Sequence, residues 1–258
     1  MTTVFNKYEG AGNDFVIIDN LRGDFIAETG TIASLCNRRF GIGADGLILI
    51  EKEPLVPYRM RYFNSDGKEG SMCGNGGRCA AHFAVRHGIA LPVHQFIASD
   101  GMHNADVGSD TVTISMSDVS GITHETGNYF LNTGSPHLVI FTADAESANV
   151  AGRGREIRYS PRFAPHGTNV NFVKTEENNT IFVRTYERGV EDETLSCGTG
   201  VTASAIASVF AGHFVTPPVA IRTRGGNLLV DFRMEGNMVT GVKLNGPATF
   251  VFEGEINI

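Results

Sequence analysis

The sequence predicts an α/β chain of the α+β type. Two pseudo-symmetric domains are expected, each a mostly antiparallel or mixed curled sheet around one buried central helix. Three observations predict it. Ser71-Met72-Cys73-Gly74-Asn75-Gly76-Gly77 returns 124 positions later as Ser196-Cys197-Gly198-Thr199-Gly200. Each copy runs into small and apolar residues without a breaker: Cys79, Ala80, Ala81, Phe83, Ala84 and Val85, then Val201, Ala203, Ala205, Ile206, Ala207 and Val209. Such helices are apolar around most of their circumference and belong inside a core. The surroundings repeat as well. Gly12-Asn13-Asp14-Phe15 resembles Gly134-Ser135-Pro136-His137, Arg61-Tyr62-Phe63-Asn64 matches Arg184-Thr185-Tyr186-Glu187, and Ser99 and Thr223 each lie 26 residues after a cysteine.

In chain order, residues 3–5 and 15–18 read as strands around the loop 10–14, and a short helix fits 31–38. Residues 39–46 form a glycine-punctuated loop into a strand at 47–51. The loop lacks both the strand-GxGxxG-helix context of a dinucleotide site and the Lys-Ser/Thr of a P-loop. A strand at 58–63 ends in the turn Asn64-Ser65-Asp66-Gly67, and the first cysteine helix follows. Alternating strands at 95–99 and 111–116 lead to a boundary near 118–123. The domains are therefore expected at 1–118 and 119–258, with the last strand free to cross back to the first half. Strands at 129–131, 138–141, 169–173 and 180–184 precede the second helix; others at 219–223, 228–234, 238–244 and 250–252 follow it. A sheet curled around its own helix buries a helix that is apolar on nearly all sides.

At 258 residues the chain accommodates two domains with separate cores. A net charge of −7 argues against a nucleic-acid or anionic-membrane partner, and no apolar run is long enough to cross a bilayer. The opening MTTVFNKYEGAGNDF has no basic segment followed by an apolar one, so a cytoplasmic protein is expected. The four cysteines lack close spacing, and in a reducing compartment they are not expected to form structural disulfides.

A helix start presents unpaired N–H groups, and glycines there let a ligand approach the backbone. Two units related by a pseudo-twofold would bring two such starts, with one cysteine each, to a shared cleft. A thiolate and a thiol on opposite sides of a carbon next to a carboxylate can invert it, one removing a proton and the other delivering one. A helix terminus contributes about 0.3–1 kcal/mol, less than one pKa unit, so the thiolate needs further help. His137 and Glu187 are the candidates. The N–H groups of Gly74-Asn75 and Gly198-Thr199 would hold the substrate α-carboxylate.

GAGNDFVIIDN, FGIGADGLI, FNSDGKEGSMCGNGGRCAAHF, NTGSPH, TNVNFV and YERGVEDETLSCGTG closely resemble the diaminopimelate epimerase family, from about Asn6 to beyond Ala207. The resemblance implies a cofactor-independent isomerase converting LL-diaminopimelate to the meso form in lysine biosynthesis, a small-molecule enzyme and a homodimer. It implies that Cys73 and Cys197 are the acid/base pair, that His137 and Glu187 assist them, and that Asn13, Asn64, Asn169, Glu187 and Arg188 recognise the substrate, mainly its distal end. A distal zwitterion needs acceptors for its ammonium and a donor for its carboxylate, and these side chains offer both. Two positions depart from the family pattern. Ser135 stands where many members have Asn, which implies a less direct contact, and Gly46 stands where some have Gln.

Duller readings apply elsewhere. Cys36 and Cys79 read as buried and inert. Zinc drawn from Cys73, Cys79, His82 and His87 would lack a Cys-x2-Cys pair, so no metal is expected. None of the five lysines suggests a Schiff base, so no pyridoxal phosphate is expected. Arg38-Arg39 and Arg153 to Arg158 are expected on solvated surface. The rival functions are a proline or hydroxyproline racemase on the same scaffold, and a non-catalytic binding protein or thiol redox switch.

Overall fold

The computed structural model describes residues 2–213 and 217–258. The chain divides into two units, Met1–Ile114 with Gly246–Ile258, and Ser115–Asn245.

In the first unit β1 (Thr2–Gly10) and β2 (Asn13–Asn20) form an antiparallel hairpin. Its turn residues Ala11 and Gly12 have φ of 54° and 82°, the left-handed region that glycine enters without cost. Then come α1 (Thr29–Cys36), β3 (Gly46–Glu51), β4 (Arg59–Asn64), α2 (Gly74–Arg86), β5 (Val93–Ala98), β6 (Gly101–Val107) and β7 (Val112–Ser115). β2 and β3 pair in parallel, β3 and β4 antiparallel, β4 and β5 in parallel, and β5, β6 and β7 antiparallel in succession.

The second unit opens with β8 (Val119–Ser120) and β9 (Thr123–Glu125). It continues through β10 (Asn128–Asn132), β11 (Pro136–Phe141), α3 (Val150–Arg158), β12 (Asn169–Thr175), β13 (Thr180–Glu187), β14 (Asp192–Thr194), α4 (Gly198–Phe210), β15 (Val219–Arg222), β16 (Asn227–Glu235) and β17 (Met238–Gly246). Its pairing order repeats that of the first unit. β10 and β11 are antiparallel, β11 and β12 parallel, β12 and β13 antiparallel, β13 and β15 parallel, and β15, β16 and β17 antiparallel. β18 (Thr249–Asn257) returns to the first unit and pairs antiparallel with β1.

Each unit is a mixed sheet wrapped on its own helix. α2 packs against β1, β2, β3, β4, β6 and β18, and α4 against β10, β11, β12, β13, β15 and β16. Every residue of α4 from Gly198 to Ser208 is buried, as is most of α2 from Gly74 to Ala84. Its polar side chains turn back on the helix: Thr202, Ser204 and Ser208 each donate to the carbonyl four residues earlier, at 2.9, 2.7 and 2.7 Å. The hydroxyls are thereby satisfied without partners outside the helix.

The structure differs from the sequence expectation at several places. The helix expected over 31–38 runs Thr29–Cys36, because Asn37 is extended and its side chain accepts from the N–H groups of Arg39 and Phe40. α3 escaped the pattern reading: VAGRGREIR carries two glycines and three arginines and has no apolar stripe. The Asn149 side chain caps it, accepting from Gly152 N at 3.0 Å. Gly154 is required, since a Cβ there would lie 2.3 Å from that of Tyr186. Arg38 is exposed as expected, although it bridges Asp14 and Asp45, whereas Arg158 reaches Glu191 at 3.1 Å with its side chain only 13% exposed.

Candidate active site

The two cysteines occupy the same structural place in their units. Cys73 is the N-cap of α2 and Cys197 the N-cap of α4, both in extended conformation. Cys73 follows β4, and Cys197 follows β13 and the short β14.

In the first unit Cys73 is half-buried, and its sulphur accepts from Gly76 N at 3.5 Å. Its thiol also meets Asn13 Oδ1 at 3.7 Å. Asn13 cannot turn its amide round freely, because its Nδ2 donates to Asp45 Oδ2 at 2.6 Å. Asp45 is in turn held by Arg38 at 2.6 Å, and Arg38 also grips Asp14. Lys7 donates to Asp14 at 2.6 Å and to the carbonyl of Gly43. Burial pushes the Asp14 carboxyl up, but the bonds from Arg38 and Lys7 prevail and hold it at about 2. The first helical turn is braced from inside by Arg78, whose Nη2 donates to Asn75 Oδ1 at 3.0 Å and whose Nε donates to Pro247 O at 3.2 Å. Asn64 lies exposed at the end of β4, paired in register with Gly46. A Cβ on Gly46 would fall 2.4 Å from the Tyr62 ring, so this chain fills with Tyr62 the space that a longer residue would need.

In the second unit the buried Cys197 sulphur lies 3.4 Å from Thr199 Oγ1. Thr199 Oγ1 is 2.9 Å from His137 Nε2. The bonds around His137 decide its tautomer. Asn171 Nδ2 must donate to the carbonyl of Leu138 at 3.0 Å, and Thr185 donates to Asn171 Oδ1 at 2.9 Å, which fixes the amide. The second Nδ2 hydrogen therefore meets His137 Nδ1 at 3.2 Å, so Nδ1 accepts and the ring proton sits on Nε2. Burial pushes His137 down to about 3, so the ring is neutral at physiological pH. The chain of donors runs from Asn171 to His137 to Thr199, leaving the Thr199 hydroxyl hydrogen to point at Cys197.

Asn169, in register with His137, donates to Ser135 Oγ at 2.9 Å and to Pro136 O at 3.0 Å, and its Oδ1 accepts from Arg188 N at 2.8 Å. The Arg188 guanidinium reaches Ser135 Oγ and the carbonyl of His166. Glu187 Oε2 accepts from Thr194 at 3.0 Å. Ser135 thus joins Asn169 and Arg188 in one network, although the sequence marked it only as a departure.

Sequence reasoning missed Asn171, Arg78 and the Arg38–Asp45 pair, and it assigned Thr199 through its backbone rather than its hydroxyl. Asp14 and Asp45 flanking Asn13 and the glycine loop were the available signal for the ion pairs. Cys36 and Cys79 are buried, and burial pushes both thiols up, Cys36 to about 11. Among the described residues no group of three or more His, Cys, Asp or Glu could hold a metal ion, and no helix is long and apolar enough to cross a membrane.

The family model described as "Diaminopimelate epimerase" matches the chain twice, over residues 5–131 and 129–251, one match for each half of the repeat. The chain is 46% identical over 252 residues to the diaminopimelate epimerase of Flavobacterium psychrophilum, covering 97% of this chain and 98% of the relative. It is 40% identical over 258 residues to that of Chlorobaculum tepidum, covering 96% and 99%. Among solved structures, a phenazine biosynthesis protein of the PhzF family from Bacillus anthracis superposes with a TM-score of 0.78 at 13% identity, over all of both chains. A hydroxyproline epimerase from Agrobacterium vitis superposes at 0.72 and 13%, covering 99% of this chain and 92% of the other. These two share the fold. Repeat, paired cysteine-capped helices and sequence matches agree: the chain belongs to the diaminopimelate epimerase family, isomerases that act as amino-acid epimerases.

Proposed function

We propose that this chain interconverts LL- and meso-diaminopimelate in lysine biosynthesis, without pyridoxal phosphate, using Cys73 and Cys197 as its two acid/base groups. The observation that carries the reading is the placement of both cysteines as N-caps of buried, repeat-equivalent helices. One sulphur, as thiolate, takes the α-proton. The Cα–H electron pair passes into the carboxylate, and the other sulphur, as thiol, returns a proton to the opposite face. Each turnover leaves the two protonation states exchanged, so the reverse reaction runs by the same steps. The N–H groups at the starts of α2 and α4 bind the α-carboxylate and the charge that grows on it.

His137 assists as a neutral donor rather than a base. Its proton on Nε2 orients the Thr199 hydroxyl, whose hydrogen bond favours a thiolate at Cys197. Glu187, Asn13, Asn64 and Asn169 supply oxygens for the distal ammonium, and Arg188 a guanidinium for the distal carboxylate. The enzyme acts in the cytoplasm as a homodimer.

The test is proton exchange with inversion in D2O on LL-diaminopimelate, for wild type, Cys73→Ala and Cys197→Ala. Deuterated meso product from wild type, absent from both variants, is expected. Exchange on proline or hydroxyproline but not on diaminopimelate would move the substrate; exchange on no amino acid would overturn the reading.

A further inference from the structure

The repeat allows position-by-position comparison of the two cysteine helices, and one position differs in charge. Five residues after its cysteine, α4 has Thr202, whose hydroxyl donates to Gly198 O at 2.9 Å. At the equivalent place α2 has Arg78, whose Nη1 donates to Gly74 O at 3.4 Å. The backbone acceptor is the same in both, so a hydroxyl meets the local need. The guanidinium adds a full positive charge, and it is 0% exposed. Its hydrogen-bond acceptors, Gly74 O, Asn75 Oδ1 and Pro247 O, are all neutral. A buried cation held only by neutral acceptors is costly unless a negative charge stands nearby.

We infer that Arg78 is a positioning residue that holds Cys73 as a thiolate in the resting protein, the charge of the sulphur at the N-cap compensating the guanidinium beneath the first turn. This deepens the proposed two-cysteine reading and rests on it. The groups whose charge acts on Arg78 are Cys79, Cys73 and Glu9 of β1. Cys79 is fully buried, and burial holds its thiol well above the usual range, so it stays protonated. The Glu9 carboxylate accepts from Gly12 N in the hairpin turn and acts on Arg78 less than either cysteine. Of the other charged groups on the packed elements, Asp19, Asp106 and Glu255 are exposed to solvent and the rest have partners of their own. Asp14 of β2 is held by Lys7 and Arg38, His103 of β6 by Asp100, and Glu253 of β18 by Asn6. Glu51 of β3 pairs with Arg61 of β4, and Arg59 of β4 with Glu53. His82 of α2 and its C-cap His87 are bonded to Tyr8 and Asn6, and Arg86 lies over the Phe250 ring. At Cys73 itself Asn13 Oδ1 favours the thiol and Gly76 N–H favours the thiolate. The cation beneath the first turn adds to the second of these.

The test is the pH dependence of iodoacetamide alkylation in a Cys197→Ser background, where Cys73 is the accessible thiol because Cys36 and Cys79 are buried. The background protein is expected to alkylate with a midpoint clearly below the ordinary thiol value of about 8.5. Adding Arg78→Met is expected to raise the midpoint by about one unit, roughly a tenfold slower reaction at pH 7, whereas Arg78→Lys keeps the charge and the low midpoint. Lysine cannot reproduce the forked bonds, so a purely structural role would treat both substitutions alike. A background midpoint at or above about 8.5, an unmoved midpoint in folded Arg78→Met, or equal shifts in both variants would overturn the proposal. Should the Met variant fail to fold, the background and Lys midpoints still decide. No substrate enters this titration, so it fails or succeeds separately from the exchange experiment.

Discussion

Gly76 and Gly200 occupy the same place in the two repeats, three residues after the cysteine, and alanine is expected to separate them. Both lie in helices, where Gly to Ala gains about 1 kcal/mol from backbone propensity. At Gly76 the new Cβ would meet the Ile48 Cδ1 at 3.1 Å and the Met60 Cε at 3.2 Å. These are free ends of apolar side chains that can yield by a few tenths of an ångström, so the propensity gain offsets the cost of moving them and the net change is near zero. At Gly200 the Cβ would lie 2.5 Å from Asn171 Oδ1 and 3.2 Å from Thr185 Oγ1. Asn171 cannot yield cheaply, because Leu138 O, His137 Nδ1 and Thr185 Oγ1 all hold it. Leaving buried polar groups unmatched costs about 1–3 kcal/mol each, so Gly200→Ala should lose about 1–3 kcal/mol net of propensity. For a chain of this size that corresponds to a fall in melting temperature of about 5 °C, with Gly76→Ala within about 2 °C of wild type. Calorimetric melts of the two variants check this. Equal melting shifts would refute the claim that the Asn171 amide is a fixed part of the second unit.

Three further outcomes are expected. His137 is held neutral with its native value near 3 against about 6.5 unfolded, so the unfolded chain binds the extra proton and stability falls as pH drops from about 6.5 toward 3, by at most about 1.4 kcal/mol per pH unit. His137→Gln should flatten that slope in denaturant titrations, and nitrogen NMR should find the wild-type proton on Nε2. Asp14, held at about 2, contributes stability above its unfolded value of about 3.9 that is lost as pH falls through 2, so Asp14→Asn should cost about 2 kcal/mol at pH 7 and little near pH 2, measured by urea unfolding. Thr199→Val removes the hydroxyl between His137 and Cys197 and should slow inversion about 10- to 100-fold, with Thr199→Ser near wild type; unchanged turnover in the valine variant would rule out the relay.

Chemistry fixed by local spacing was readable from the residues alone. Cys-Gly-x-Gly before an unbroken apolar run specifies a cysteine at the start of a buried helix, because an N-cap and a helical period are both local. Two copies, nine residues after Asn64 and ten after Glu187, specify the repeat. α3 was hidden because one of its glycines, Gly154, serves a tertiary contact against Tyr186 rather than the helix's own propensity. Tertiary structure alone decided what stands beside each cysteine. The parallel register of β11 on β12 sets His137 opposite Asn169 and brings the Asn171 amide to its ring, across more than thirty residues of chain. Folding of the loop after α1 brings Arg38 and Asp45 to Asn13. Sequence spacing sets where a helix begins, whereas the protonation state of a sulphur depends on charges and dipoles within a few ångströms, and those neighbours are assembled only when distant strands pair.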